Sequence, residues 1–583
     1  LKRSDILTNR IFKRYFLPTI LMAMALSMGI IVDGIIVGNK LGSEALAIVN
    51  LSTPIVLGFN SIYVLMGVGG SVLAAIAIGQ RSESNALSYF QQAILMMLLF
   101  SVIVLVVGLI FHTRIAEFIA GDTGMEAKLV PYLKILFLGS PLMIVVPGIS
   151  SFIRTDNNPR LASVILIVAN GVNLIFDIIY LFVFNMGVEG AALATVTGYG
   201  AGSLVLITYF FREKVTFRIK KPEMISGAKI LKIIATGLPA ALTTLFLFLK
   251  IFLINIIVIN TLGKSGMAVF SVCLSCLAFV SMFISGAAQT ISPIIGVLYG
   301  ELDQQGIRFT IFRTFKIVGL ASLLLIALFE IFPSQVLQLF GVSSANELAL
   351  GIQAIRIFSI SLLGTALNVV LMYYFQTIQQ KKLSLVIASV QGFMLVVPLA
   401  FVFSKIWGGS GIWIAFGVSE VCTLLIVFIL TRRIRKNSDV KLQGMLLFQS
   451  RTSANALLDV SIVDDVKNAA RLSEDVVQFC SENGLNERTS MHVGLAVEEL
   501  AVNSFEHGYR DQTKKVVDVR VSIGASEVLI SLKDDGIPFN PANYSAIEND
   551  SEFKSMGLQL VKNIAREVNY TRMLGLNSTI IKF

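Results

Sequence analysis

The strongest constraint on this chain is a series of long apolar stretches with almost no charge. They fall near 15–38, 47–78, 90–112, 130–153, 161–184, 188–211, 230–260, 266–297, 310–333, 350–376, 383–405 and 409–431. About 20 apolar residues suffice to cross a bilayer core as a helix. Hydrocarbon offers no partner to an unpaired backbone N–H or C=O, so each stretch is expected as a helix. Only 14% of the residues are charged, against roughly 25% in soluble domains. A single soluble domain is excluded.

Basic residues set the orientation of such a bundle. Lys2, Arg3, Arg10, Lys13 and Arg14 precede the first stretch. Arg154 and Arg160 lie between the fourth and fifth, and a run from Arg212 to Lys232 between the sixth and seventh. Arg308, Arg313 and Lys316, then Lys381 and Lys382, then Arg432, Arg433, Arg435 and Lys436 continue the pattern. All fall in even-numbered gaps or at the ends, while 334–349 has no Lys or Arg. Both termini are expected in the cytoplasm, with no cleavable signal peptide.

Charge divides the chain further. Residues 456–583 hold 13 Lys/Arg and 19 Asp/Glu, a net of −6, whereas the whole chain is +10. A basic apolar part therefore joins an acidic polar one. The basic excess suits anionic lipid, and no nucleic-acid partner is expected. Cys273 and Cys276 form a C-x-x-C inside an apolar stretch with no second pair, so they read as buried small hydrophobes and not as a metal or redox site.

The apolar part repeats. Pro18 matches Pro239, IIVGNKLG (35–42) matches IIVINTLG (256–263), and Ala47, Gly79 and Gly190 match Ala268, Gly300 and Gly411, each 221 residues on. Thr155/Thr377 and Leu161/Leu383 are 222 apart. Six spans per repeat is an even number, so the halves enter the membrane alike. The repeat is parallel, with its axis along the membrane normal. The expected fold is an all-α membrane protein of twelve transmembrane helices in two parallel six-helix repeats, 1–215 and 216–436.

Ionisable groups in hydrocarbon are costly and mark function unless partnered. Asp33 lies deep in span 1 and Asp177 in span 5, with Asn173 four residues before it on the same helix face. The repeat mate of Asp33 is Ile254, so the acid is not required by the repeat. The oxygens suit H⁺ or a hard cation such as Na⁺; the alternative is two acids bonded to neighbouring polar groups. Lys250 in span 7 either pairs with one of these acids or faces a cavity.

VDGIIVGNKLGSEALAIVNLSTPI (32–55), the N-x-x-x-D of span 5 and GVEGAALATVTG (187–198) together resemble the multidrug and toxic compound extrusion (MATE) family over residues 10–435. The resemblance implies two six-helix lobes that exchange lipophilic or cationic small molecules for Na⁺ or H⁺ across a bacterial plasma membrane. It implies a coupling-ion site of Asp33, Asn173, Asp177 and Thr195. One branch of the family also carries acids in spans 7 and 10; span 7 here offers Lys250 and Asn255, and span 10 has no acid. Coupling through the first lobe alone is the better match.

LGKSG (262–266) suggests a phosphate loop, but the glycine needed five residues before Gly263 is Val258. After a linker at 437–455 the pattern becomes that of a soluble α+β domain, 456–583. LLDVSIV reads as a strand, DVKNAARLSEDVVQFCSENG as a helix capped by Gly484, and NERTSMHVGLAVEELAVNSFEHGY as a second helix. VVDVRVSIG and EVLISLKDDG read as a hairpin, GLQLVKNIAREV as a third helix and NSTIIKF as a last strand. Helices on one face of an antiparallel sheet make an α+β sandwich. Glu499, Asn503 and His507 recur every fourth residue, which places them on one helix face.

That helix, KDDGIPFNP (533–541) and SMGLQL (555–560) resemble the N box and two glycine boxes of the GHKL (Bergerat-type) ATPases, most closely the anti-sigma-factor serine kinases. The resemblance implies ATP with Mg²⁺, Glu499 as catalytic base or water-positioner and Asn503 as Mg²⁺ ligand. It implies Asp534 on the adenine amino group and Thr579 behind it through water, with Gly536 and Gly557 giving the nucleotide room; His507, at the far end of the shared face, could supply an imidazole to phosphates. Pro538 and Ser555 depart from the widest pattern, the second putting hydrolysis or phosphotransfer in doubt. His492 is too close to Glu499 for the phosphoacceptor of a sensor kinase.

The leading expectation is a cation-coupled efflux antiporter with a cytoplasmic regulatory ATP-binding, serine-kinase-like domain that has a protein partner of its own. Its rivals are a lipid-linked oligosaccharide flippase and a membrane-anchored protein kinase that senses a ligand through its spans.

Overall fold

The computed structural model describes residues 3–583 except 122–123, 213–214, 219–224, 341–343, 440, 450–455, 464–466, 510–514, 525–526 and 544–551. It forms two compact units. One comprises Arg14–Arg433, the other Leu1–Lys13 together with Ile434–Phe583. Residues 3–13, assigned from sequence to the first lobe, thus pack with the C-terminal domain.

All twelve expected spans are present as helices long and apolar enough to cross a bilayer, from Ile6–Leu41 to Gly409–Lys436. The repeat is visible in the backbone. Left-handed residues stand at Gly42 and Gly263, Arg81 and Leu302, Asn157 and Gln379, and Gly187 and Gly408. These are the turns after spans 1, 2, 4 and 5 and their mates, and the one-residue slip recurs at 157/379. The turn at Gly42 has φ 83° and ψ −177°, and that at Gly263 φ 65° and ψ −154°. Only glycine enters that region without steric cost. Neighbouring spans therefore follow one another with a single residue of turn, and LGKSG is this turn.

Two mates also touch. A Cβ on Gly79, at the end of span 2, would strike the Val297 carbonyl of span 8 and lie 3.0 Å from the Gly300 Cα. A Cβ on Gly300 would strike the Ile76 carbonyl and lie 2.9 Å from the Gly79 Cα. Small residues let membrane helices approach backbone to backbone, and here they do so where the halves meet. Gly79→Val is expected to lower stability by about 3 kcal/mol, the upper end for overpacking, because backbone must move. Gly58→Ala, with nothing within 4 Å, is the control; thermal unfolding in detergent checks both.

In the other unit a short hairpin, β1 (Leu442–Gln443) with β2 (Phe448–Gln449), occupies part of the expected linker. The domain proper is a five-stranded antiparallel sheet. Its strands are β3 (Ala456–Val463), β4 (Val516–Ile523), β5 (Val528–Asp534), β6 (Glu567–Met573) and β7 (Leu576–Lys582), in the order β3-β4-β5-β7-β6. Val460, Ile462, Val517, Val519, Val521, Ile530 and Leu532 point to one face and form a core with helices Lys467–Glu482, Glu487–Asn503 and Glu552–Ile564. This is the expected α+β sandwich.

Three boundaries differ from the sequence reading. EVNYTRM, begun as the end of the third helix, is strand β6 paired with β7; no Gly or Pro separates helix from strand there. The third helix begins at Glu552, so Gly557 lies in its second turn and not at an open N-terminus. The second helix is α-helical only to Asn503, and SFEHG (504–508) is a π turn. The four-residue spacing from Asn503 to His507 therefore does not carry the α-helical face forward. The His507 side chain lies outside the described residues.

Candidate functional site

The first half brings its four predicted polar residues together. Asn173 Nδ2 donates to Asp177 Oδ2 at 3.2 Å and to Thr195 Oγ1 at 3.4 Å. Thr195 Oγ1 donates in turn to the Ala191 carbonyl at 3.1 Å. The Asp33 and Asp177 carboxyl groups face one another within side-chain hydrogen-bonding reach. Asp177 is fully buried, and one buried oxygen on each acid, Oδ1, has no donor. Two facing carboxyls cannot both be charged there without a compensating proton or cation, since burial of an unpaired charge is prohibitive. The donor set is oxygen throughout, apart from the Asn173 amide, and fits H⁺ or Na⁺ as cargo. Tyr132 of span 4, 5% exposed, lies within electrostatic range of both acids. The sequence reading did not single it out, because a Tyr in an apolar span carries no charge signal.

The second half holds a different cluster, also missed. Glu420 of span 12 is 7% exposed. It accepts from Thr365 Oγ1 at 2.8 Å, Asn368 Nδ2 at 2.7 Å and Gln391 Nε2 at 3.3 Å. Lys250 lies within electrostatic range of Glu420. The position 221 residues before Glu420 is Tyr199, so this cluster, like the Asp33 pair, ignores the repeat. Cys273 and Cys276 are buried and unbridged, as expected of small core residues.

In the C-terminal domain a cleft is lined by Leu500, Asn503, Ser504, Asp534, Ile537 and Thr579, among others. Asp534 ends β5 and is 5% exposed. Its Oδ1 accepts from the Gly536 N–H and from Asn577 Nδ2, both at 2.8 Å, and its Oδ2 from Ser504 Oγ at 3.3 Å. Burial raises its pKa above the ordinary carboxylate range, and the Asn577, Gly536 and Ser504 hydrogen bonds partly oppose this. Asn577 is the direct partner because β7 sets it opposite Asp534, while Thr579 pairs with Leu532 two residues away. A Cβ on Gly536 would strike the Gly508 carbonyl and sit 2.9 Å from Asp534 Oδ1, so a bare glycine is required for the DDG turn to close on the π turn.

Glu499 stands on the same helix as Asn503. Burial first, then the neighbouring Glu498 charge, raises its pKa. Its carboxylate fills the space a side chain on Gly557 would take. Gly557 therefore makes room for Glu499, and through it for whatever Glu499 addresses. The geometry fits an adenine nucleotide: a buried acceptor in a cleft of mixed polar and apolar lining, with the amide of Asn503 one helical turn from a carboxylate. Among the described residues no group of three or more His, Cys, Asp or Glu could hold a metal, so a Mg²⁺ ion would depend on Asn503 and the phosphates it accompanies.

Two six-helix repeats with a paired-carboxyl site in one of them, continued by a soluble α+β domain, make up the architecture of a membrane transporter with an appended nucleotide-type domain. Residues 18–179 and 239–402 match the MatE family, and residues 462–583 match the Histidine kinase-like ATPase domain. The chain belongs to the MatE family. Among its relatives, the multidrug export protein MepA of Staphylococcus aureus (strain MRSA252) is 23% identical over 413 residues, covering 69% of this chain and 89% of that protein. MepA of Staphylococcus haemolyticus (strain JCSC1435) is 25% identical over 396 residues, covering 66% and 85%. A crystal structure of MATE in complex with MaD3S superposes with a TM-score of 0.68 at 23% identity over 73% of this chain and 96% of that one. A MOP superfamily transporter from Pyrococcus furiosus gives 0.68 at 23%, over 74% and 97%.

Proposed function

We propose that this protein exports lipophilic or cationic small molecules from a bacterial cell in exchange for Na⁺ or H⁺, and that its C-terminal domain binds Mg-ATP to regulate that exchange. The observation that carries the first part is the Asp33–Asp177 pair, held by Asn173 and Thr195 and short of donors. An ion or proton entering this site neutralises the pair and changes how spans 1, 5 and 6 pack. Exchange follows if the substrate favours the other packing, because the two ligands then oppose each other by linkage. The relatives named as multidrug export proteins support the direction of transport and the substrate class.

For the domain, Asp534 would accept from the adenine amino group and Asn503 would ligate Mg²⁺. ATP supplies a transferable γ-phosphoryl group when bound. Glu499, one helical turn from Asn503 on the same helix, would orient a hydroxyl or a water. A serine on a protein partner is the acceptor class that the anti-sigma resemblance suggests.

Proteoliposomes with an imposed Na⁺ or pH gradient test the reading. Export of a cationic dye is expected to follow one gradient and not the other, and to change with Mg-ATP on the side of the tail. Export driven by neither gradient would remove the coupling assignment.

A further inference from the structure

The basic N-terminal segment, read from sequence as an orientation signal, also packs with the ATPase-like domain in the structure. The Arg3 side chain is 5% exposed and pairs with Asp459 and Asp518, each at 3.4 Å. Both acids lie on the sheet face opposite the helical core, where Arg520 also holds Asp459 at 3.1 Å and Ser461 Oγ donates to Asp518 at 2.5 Å. The backbone N–H of Ser4 donates to Ser461 Oγ at 2.8 Å. Arg3 and Ser4 therefore anchor the segment in a buried polar network, which is costly to break from one side.

The helix begins at Ile6. One turn on, Arg10 Nη1 donates to Asp535 Oδ2 at 2.6 Å. Asp535 is the second residue of the DDG turn, between Asp534 and Gly536. Its other oxygen accepts from the Tyr509 hydroxyl at 3.0 Å, and the same hydroxyl accepts from the Asp535 N–H at 3.3 Å. Tyr509 directly follows the π turn whose Gly508 carbonyl receives the Ile537 N–H at 2.7 Å. Arg10 thus grips the rim of the nucleotide cleft. The same helix runs on unbroken to Leu41 and carries Asp33. Its 36 residues span ~54 Å at 1.5 Å each, well beyond a bilayer core of about 30 Å.

We propose that span 1 is the output element of the nucleotide domain: Arg3 anchors it, and Arg10 latches it to the DDG turn, so nucleotide occupancy and the packing of span 1 are linked. This rests on the reading of the domain as a Mg-ATP site and adds the route by which that site acts. The Arg10–Asp535 pair is partly exposed, at 32% and 17%, so it contributes little to stability. Its work is positional. A nucleotide that reorders Asp534 and Gly536 must move Asp535, and a change in span 1 must pull on the same turn. By reciprocity, each alters the affinity of the other site.

The test uses the full-length protein in proteoliposomes, with Mg-ATP as the probe on the tail side. Arg10→Ala is expected to export at the wild-type rate without ATP and to bind Mg-ATP with an affinity changed by about fivefold, the low end of allosteric coupling. Its export no longer responds to ATP. Arg10→Lys keeps part of the response, and the exchanged pair Arg10→Asp with Asp535→Arg recovers it. Arg10→Ala with an undiminished ATP response overturns the proposal. So does wild-type export indifferent to ATP while Mg-ATP binds. Absence of Mg-ATP binding in the wild type removes instead the underlying reading of the domain.

Discussion

Asp33→Asn is expected to abolish gradient-driven export while leaving the protein folded. The amide is isosteric, and its Nδ2 can donate to Asp177, which the native Asp33 carboxylate cannot do when ionised. The pair then holds one negative charge, with donors from the new amide and from Asn173, and no longer requires a cation or proton to offset a second. Loss of this differential binding removes the linkage between ion and substrate. The ion-driven component should fall by about 100-fold, towards the upper range of coupling energies. Substrate exchange without a gradient should persist, because the substrate does not depend on the acid. Dye export in proteoliposomes, with circular dichroism as the folding check, decides the matter; wild-type accumulation by the variant would place the coupling site elsewhere.

The second large effect is at Asp534. Asp534→Asn is expected to weaken Mg-ATP binding about 100-fold in the full-length protein. The reason is directional. Oδ1 already accepts from Gly536 and Asn577, so the amide must keep its oxygen there and turn its NH₂ toward the cleft. A donor then faces the adenine amino group, and two buried donors are left without acceptors at roughly 1–3 kcal/mol each. Affinity for GTP, expected to be poor from the start, should change little. Acidity gives an independent readout. Burial raises the Asp534 pKa, and the carboxylate is the form that accepts from adenine. Affinity should therefore fall as pH is lowered through that raised value, above the ordinary carboxylate range near 4, with no such step in Asp534→Asn. The stability effect has the opposite sign. The folded state binds this proton more tightly than the unfolded chain, so ionised Asp534 costs stability at neutral pH, a cost that lessens on acidification. Isothermal titration across pH measures the first, and denaturant midpoints the second.

Much of this was legible because it depends on local pattern. Spans announce themselves by apolar length, and the repeat by an offset held along the chain. The Asp33 cluster was found because a charge in hydrocarbon has few innocent explanations. The remainder depended on register and long-range contact. Glu420 carries the same signal, an acid inside span 12, and was passed over; what sequence does not show is that Thr365, Asn368 and Gln391, from two other spans, satisfy it. Asn577 outranks Thr579 only because β7 pairs with β5 in a particular register. Strand β6 was hidden by a helical stretch that runs into it with no breaker. Arg3 and Arg10 were read only as orientation signals, because a basic N-terminus has a sufficient explanation in membrane topology and sequence offers no sign of their ion pairs with Asp459, Asp518 and Asp535.

The contact between Gly79 and Gly300 has a mechanical consequence. Helices that interlock through side-chain ridges resist rotation, because each ridge must leave its groove. At this crossing two backbones meet with no side chain from either glycine. Nothing there has to be unmeshed when one half turns against the other, yet the two cannot drift together or tolerate a methyl group between them. The pair behaves as a bearing, close-fitting and smooth, set near the ends of spans 2 and 8.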